Sequence, residues 1–281
     1  MCTLTLAWHV LEDAPVAVAA NRDEALERSA EPPGIYRETP RVIAPRDVEA
    51  GGTWIGVNEY GVVAGVTNRW LDLDVDLAGE RSRGLLVGDA LECESVETAI
   101  EVVERTTAEF EYDGFNLVLT DADDAVCLEW DGQLTVTRFD PGVHVVVNVG
   151  FVGPDESERF SVPDSRPTAG ARQAESARRV RDALAVESAG ADGDERSSAW
   201  LERAGAVLGD HEYGVCVHGD GFGTRSSSLL SVGRSGPTVD AEPGSESKSE
   251  SESKSKSITY AYADGPPCRT PYETIGVEGH I

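Results

Sequence analysis

The stretch that decides the fold is residues 1–24, MCTLTLAWHV LEDAPVAVAA NRDE. Thr3 to Trp8 and Pro15 to Ala20 are apolar, β-prone runs, and a polar bend from Leu11 to Ala14 joins them, so the segment reads as a β-hairpin. A hairpin returns the chain alongside its start. Asn21, Arg22, Asp23 and Glu24, at the end of the second strand, are therefore expected close to Cys2. Cys2 follows Met1 directly, and methionine is normally trimmed before so small a residue. The expected product carries a thiol and a free α-amine on one residue.

That pairing suits nucleophilic chemistry. A free thiol has a pKa of about 8.5, and a guanidinium such as that of Arg22 draws it toward the reactive range. An α-amine with a pKa of about 7.7–8.0 can take the thiol proton and return it to a leaving group, with Asp23 fixing its direction. Nucleophile and base then belong to the same residue. A packed structural cysteine on an edge strand, beside a surface Arg22–Asp23 pair, fits these 24 residues equally well.

At 281 residues and 40% hydrophobic content, the chain is long enough to bury one substantial core. It is read as a single domain over 1–281. No apolar run reaches the ~18–20 residues of a membrane span and no basic leader opens the chain, so a soluble, cytoplasmic protein is expected. The five cysteines (Cys2, Cys93, Cys127, Cys216, Cys268) are scattered, without a CxxC pair, which indicates neither a disulfide framework nor a zinc ribbon. His211, Cys216 and His218 lack the spacing of a standard zinc site, and no metal or other cofactor is expected.

Charge narrows the partners. Asp and Glu total 51 against 24 Lys and Arg, a formal net charge of −27. Lysine occurs only at Lys248, Lys254 and Lys256, inside one serine-rich run. Nucleic acid and anionic membrane surfaces are not expected as partners; a small-molecule substrate or ligand is. Acids spread along the whole chain point to a halophilic protein in a high-salt cytoplasm, where the Debye length falls to ~3 Å and self-repulsion fades.

Further along, Ser29 to Pro45 carries four prolines and reads as an extended surface crossing. Ala50 to Asn58 and Val62 to Asn68 form a second hairpin around Glu59-Tyr60-Gly61. Leu85 to Leu91 and Val96 to Thr106 read as helices. Gly114–Thr120, Ala125–Trp130, Gln133–Phe139 and Val143–Val149 read as one meander, with Asn148 at its end. Phe151 to Gly170 looks irregular, Ala171–Val186 and Ser198–Leu208 read as helices, and the chain returns to strand and turn between Val215 and Val232. Pro237 to Ser257, including SESKSESESKSKS, is a polar low-complexity loop expected to be disordered. Ile258–Ala263 is the last strand, paired with Leu229–Val232. Strands, helices, strands, helices and strands in that order predict an α+β fold, a four-layer αββα sandwich of two mainly antiparallel sheets between helical layers.

Taken together, the MC-x-L start, Asn21-Arg22-Asp23-Glu24, Gly51-Gly52-Thr53-Trp54-Ile55-Gly56-Val57-Asn58, Thr67-Asn68, Ser82-Arg83-Gly84, Gly114-Phe115-Asn116-Leu117 and Gly223-Thr224-Arg225-Ser226-Ser227 resemble the NRDE family. This group includes the transport and Golgi organisation protein 2 homologues. The Trp-x-Lys element common in that family after the asparagine strand has no counterpart between residues 150 and 170. The family in turn resembles the cysteine N-terminal-nucleophile (Ntn) hydrolases, among them conjugated bile acid and penicillin V acylases. The resemblance implies amide hydrolysis through an acyl-thioester, with Cys2 as nucleophile and Arg22 and Asp23 beside it. It further implies Asn68 on the oxyanion side, Asn148 near the amine or the substrate carbonyl, and Arg225 near the thiolate or Asp23. The rival implied by the Golgi-organisation homologues is a non-hydrolytic carrier that handles haem or lipid, although no haem signature such as CxxCH is present.

Overall fold

The computed structural model describes residues 2–276 except 73, 74, 76, 156, 187–194 and 235–256. All of Pro237–Ser257 but its last residue therefore lies outside the described residues. In chain order the elements are β1 (Thr3–Trp8), β2 (Val16–Ala25), β3 (Ala30–Glu38), β4 (Arg41–Asp47), β5 (Ile55–Asn58), β6 (Val63–Asn68), α1 (Arg83–Ala90) and α2 (Val96–Glu109). They continue with β7 (Phe115–Thr120), β8 (Ala125–Trp130), β9 (Leu134–Arg138), β10 (Gly142–Val147), β11 (Gly150–Val152), β12 (Glu158–Phe160), α3 (Pro167–Leu184) and α4 (Ser197–Gly209). A 3₁₀ turn at His211–Tyr213 precedes β13 (Phe222–Val232), β14 (Ile258–Ala263) and β15 (Glu273–Thr274).

Two antiparallel sheets result. One runs β12-β11-β10-β1-β2-β13-β14-β15 and the other β3-β4-β5-β6-β7-β8-β9. Strand alternation gives each sheet two apolar faces. Leu4, Leu6, Val16, Val18 and Leu230 of the first sheet meet Ile43, Ile55, Val57, Val63 and Val118 of the second between the layers. On the outer face of the first sheet, Ala17, Ala19, Val145 and Val147 pack under Ala177, Val180, Trp200 and Ala204 of α3 and α4. The second sheet is covered by Leu86, Val87, Ala99 and Val103 of α1 and α2. This is the four-layer αββα sandwich. Among the described residues, no helix is long and apolar enough to cross a membrane.

Helix limits follow from local chemistry. Ser95 caps α2 in a capping box with Thr98, and the buried Val96, Ala99, Val103 and Thr106 recur every three or four residues along one face. Ser82 caps α1 by accepting from the Gly84 amide at 3.2 Å.

Four expectations need correction. Ser29–Pro45 is no simple crossing, because β3 and β4 pair through it as a hairpin. Pro32 and Pro33 are tolerated there since β3 is the outermost strand of its sheet. The meander breaks before its last strand: β10 leaves β9 and pairs with β1 in the other sheet. Phe151–Gly170 contains the end of β11, all of β12 and the start of α3. Finally, β2 does not stop with its apolar run at Ala20 but continues through Asn21–Glu24, because β13 keeps it paired as far as Ala25.

Candidate active site

The opening hairpin sets Thr3 opposite Asn21, which brings Cys2 level with Arg22 and Asp23. The Asp23 amide N lies 3.4 Å from the Cys2 sulfur, and the sulfur lies 3.5 Å from the Asp23 carbonyl oxygen. Cys2 lines a cavity of about 100 Å³ whose wall includes Arg22, Asp23, Trp54, Asn68 and Arg83. Arg22 is buried, stacks over the Trp54 ring at 4.1 Å and reaches Asp47 at 3.3 Å. Asp47 is also held by Arg28 at 2.7 Å. Asp23 accepts from Thr224 Oγ1 at 2.6 Å.

Burial pushes the Cys2 thiol up, and the Asp23 carboxylate adds to this, while the Arg22 guanidinium pulls it down. Burial likewise raises the Asp23 carboxyl and lowers Arg22 and Arg83. A buried thiol needs a proton acceptor close by before it can react at neutral pH.

One wall of the cavity depends on two glycines. A Cβ on Gly52 would fall 2.3 Å from the Gly84 carbonyl carbon, so glycine is required for the first turn of α1 to dock there. Thr53 N then donates to Gly84 O at 3.0 Å, and Ser82, Arg83 and Gly84 reach the cavity.

The geometry gathers Cys2, Arg22, Asp23 and Asn68 around one space and leaves two expected residues outside its wall. Asn148 stands behind Asn68, donating from Nδ2 to the Asn68 carbonyl at 2.7 Å and accepting from Gln173 at 3.3 Å. Arg225 occupies a register shift between Thr224 and Ser226, a β-bulge that re-aims its side chain. Its guanidinium donates to the carbonyls of Leu26 and Arg28.

Comparison with known proteins gives the fold a family. The sequence profile described as Transport and Golgi organisation 2 matches residues 1–242. The chain belongs to that family. A Bos taurus protein named Transport and Golgi organization protein 2 homolog is 32% identical over 108 residues, a stretch covering 37% of this chain and 38% of the bovine one. Among solved structures, an arginine-to-leucine variant of conjugated bile acid hydrolase from Clostridium perfringens superposes with a TM-score of 0.52 at 12% identity, covering 99% of this chain and 93% of that one. The Caenorhabditis elegans N-acylethanolamine-hydrolyzing acid amidase ortholog gives 0.50 at 12% identity, covering 81% and 92%. At such identities these two establish the Ntn-hydrolase-like fold.

For this Transport and Golgi organisation 2 family member, several residues at the cavity lie outside the expected set. Thr224, Asp47, Trp54 and Arg83 each touch or line the cavity residues. Thr224, Trp54 and Arg83 sit in the quoted motifs, but only tertiary packing shows what they hold. Asn21, the first letter of the NRDE run, faces away. Its Nδ2 donates to Leu208 O at 3.0 Å and to Val215 O at 2.9 Å, tying the end of α4 to the sheet.

Proposed function

We propose that this chain is a cysteine Ntn amidohydrolase acting on a small amide or acyl substrate. The observation that carries the reading is the Cys2 sulfur set against the Asp23 backbone in a cavity shared with Arg22 and Asn68. Removal of Met1 would leave an α-amine on Cys2 as the proton acceptor that the buried thiol needs. The amine takes the thiol proton and the thiolate attacks the substrate carbonyl. Asn68 then offers a side-chain N–H to the oxyanion, a contact whose loss typically costs about 10²–10³ in kcat.

Collapse of the tetrahedral intermediate expels the substrate amine, which receives the proton held by the Cys2 amine. Water, deprotonated by the same amine, hydrolyses the thioester and restores the thiol. Asp23, fixed by Thr224, orients the amine, and Arg22, fixed by Asp47 and Trp54, favours the thiolate. Asn148 acts as a positioning residue behind Asn68. A cavity of about 100 Å³ takes the reacting end of a substrate and is well short of the roughly 300–1,000 Å³ of sites that enclose a whole ligand.

The test combines intact mass, thiol labelling and an acyl-amide panel assayed at high salt. Loss of Met1, labelling of Cys2 well ahead of Cys93 and Cys127, and free acid produced by wild type but not by Cys2→Ala are expected. Retention of Met1, or labelling of Cys2 no faster than of the core residue Cys127, would end the reading.

A further inference from the structure

Two of the five histidines and two of the five cysteines meet at one point. His211 lies in the 3₁₀ turn after α4, Cys216 and His218 in the connection to β13, and Cys268 follows β14. One ligand atom from each lies within 4.8 Å of all the others. His218 Nε2 is 3.2 Å from Cys268 Sγ and 3.6 Å from Cys216 Sγ. A tetrahedral ion with metal–sulfur bonds of about 2.3 Å and metal–nitrogen bonds of about 2.0 Å needs ligand atoms roughly 3.3–3.8 Å apart. The four atoms therefore need only small side-chain adjustments to close on one ion.

We propose that His211, Cys216, His218 and Cys268 form a structural zinc(II) site. Soft thiolates with imidazoles in a tetrahedral set select zinc over magnesium or calcium. Binding releases the two thiol protons and leaves a neutral Zn(Cys)₂(His)₂ centre, which can sit beside the nearby Arg269 without repulsion. Four protein ligands close the coordination shell, so the site is built for holding structure and not for hydrolysis.

What it would hold is specific. A Cβ on Gly209 would lie 3.2 Å from the Pro267 carbonyl carbon, so the segment carrying Cys268 runs against the end of α4, and the ion would clasp the two together. Val217, between two of the ligands, donates its N–H to Thr224 Oγ1 at 2.9 Å and accepts from Thr224 N at 2.9 Å. That same hydroxyl bonds Asp23. The clasp thus fixes the loop that fixes Thr224, whether or not Cys2 is a nucleophile.

The experiment uses full-length, reduced protein purified without a polyhistidine tag. Wild type should retain about one zinc per chain against a competing chelator. Cobalt(II) substitution should give thiolate-to-metal charge transfer and the intense visible bands of tetrahedral cobalt. Cys216→Ser, Cys268→Ser and His211→Gln should each weaken binding by about a hundredfold or more, whereas Cys93→Ser should not. His211 is exposed, so His211→Gln keeps the test decisive if a buried cysteine variant fails to fold. The chain's many carboxylates will bind cobalt weakly through oxygen, and the sulfur band separates that from the proposed site. Wild type that takes up no zinc, a cobalt spectrum without the sulfur band, a persistent Cys216–Cys268 disulfide, or His211→Gln and Cys268→Ser binding as tightly as wild type would each overturn the proposal.

Discussion

Asn148 Nδ2 donates to the carbonyl oxygen of Asn68 at 2.7 Å, so a residue just past the end of β10 holds the backbone of the residue that ends β6. The two strands belong to different sheets, and the bond crosses between the layers at the rim of the cavity. Trp70 N returns a bond to Asn148 O at 2.9 Å. Asn148→Asp replaces the buried donor with an acceptor aimed at a carbonyl. Chemical denaturation should show a loss of about 1–3 kcal/mol.

The docking of α1 gives a paired prediction at adjacent glycines. Gly52→Ala would drive a methyl into the Gly84 backbone, and overpacking of this kind costs about 1–3 kcal/mol. Gly51 has a positive φ of 71° with nothing near its Cβ position, so Gly51→Ala should cost only the left-handed penalty of about 1–2 kcal/mol. Thermal unfolding of both variants checks the order. Only Gly52→Ala should also alter the labelling rate of Cys2, since only it displaces a cavity wall.

A buried ion pair sits beside the same rim. Arg69 meets Glu129 at 2.6 Å with both side chains buried, and also donates to Asn116 at 2.9 Å. Arg69→Met strands the Glu129 charge. The expected loss is about 3 kcal/mol, at the lower end of the range for broken buried pairs, because Arg159 still reaches Glu129 at 2.9 Å. Adding Glu129→Gln should recover most of it in a double-mutant cycle.

His144 provides a pH dependence. Burial pushes its imidazole down to about 4, against the ordinary 6.5, as the ring stacks on Phe139 at 4.0 Å and bonds the Asp140 carbonyl at 2.8 Å. Between these values the unfolded chain takes up a proton that the folded chain refuses. Stability from this site is therefore whole above pH 6.5 and drains as pH falls toward about 4, by about 3 kcal/mol in all. His144→Phe should lack that part of the acid limb. Urea titrations near neutral pH and near pH 4 should show the variant gaining about 3 kcal/mol on wild type as the pH falls.

The layers were legible in the sequence because most strands are short apolar, β-prone runs, buried on both faces, and α2 carries a regular apolar stripe. A strand failed to show where exposure and prolines broke up the apolar run, as in β3, whose residues are mostly exposed. The passage of β10 into the other sheet left no local mark, because its residues are buried throughout and read the same beside any partner. In the candidate site, Cys2, Arg22 and Asp23 were visible because the opening hairpin returns the chain beside its start, whereas Asn68 was reached only through the family resemblance. Asp47 lies just past the proline-rich stretch that read as a crossing. Cys268 lies 50 residues from His218, a separation at which spacing says nothing about proximity.

The opposed faces of β2 carry a last implication. Asn21 serves the helical side while Arg22 is committed to the cavity, and which residue gets which duty depends on an odd or even count from the bend. Apolar residues between Val16 and Ala20 can be exchanged for others of similar bulk. Deleting or inserting one of them would turn the whole NRDE run over, sending the guanidinium toward α4 and the amide toward the thiol. In redesigning this hairpin, arithmetic matters more than identity.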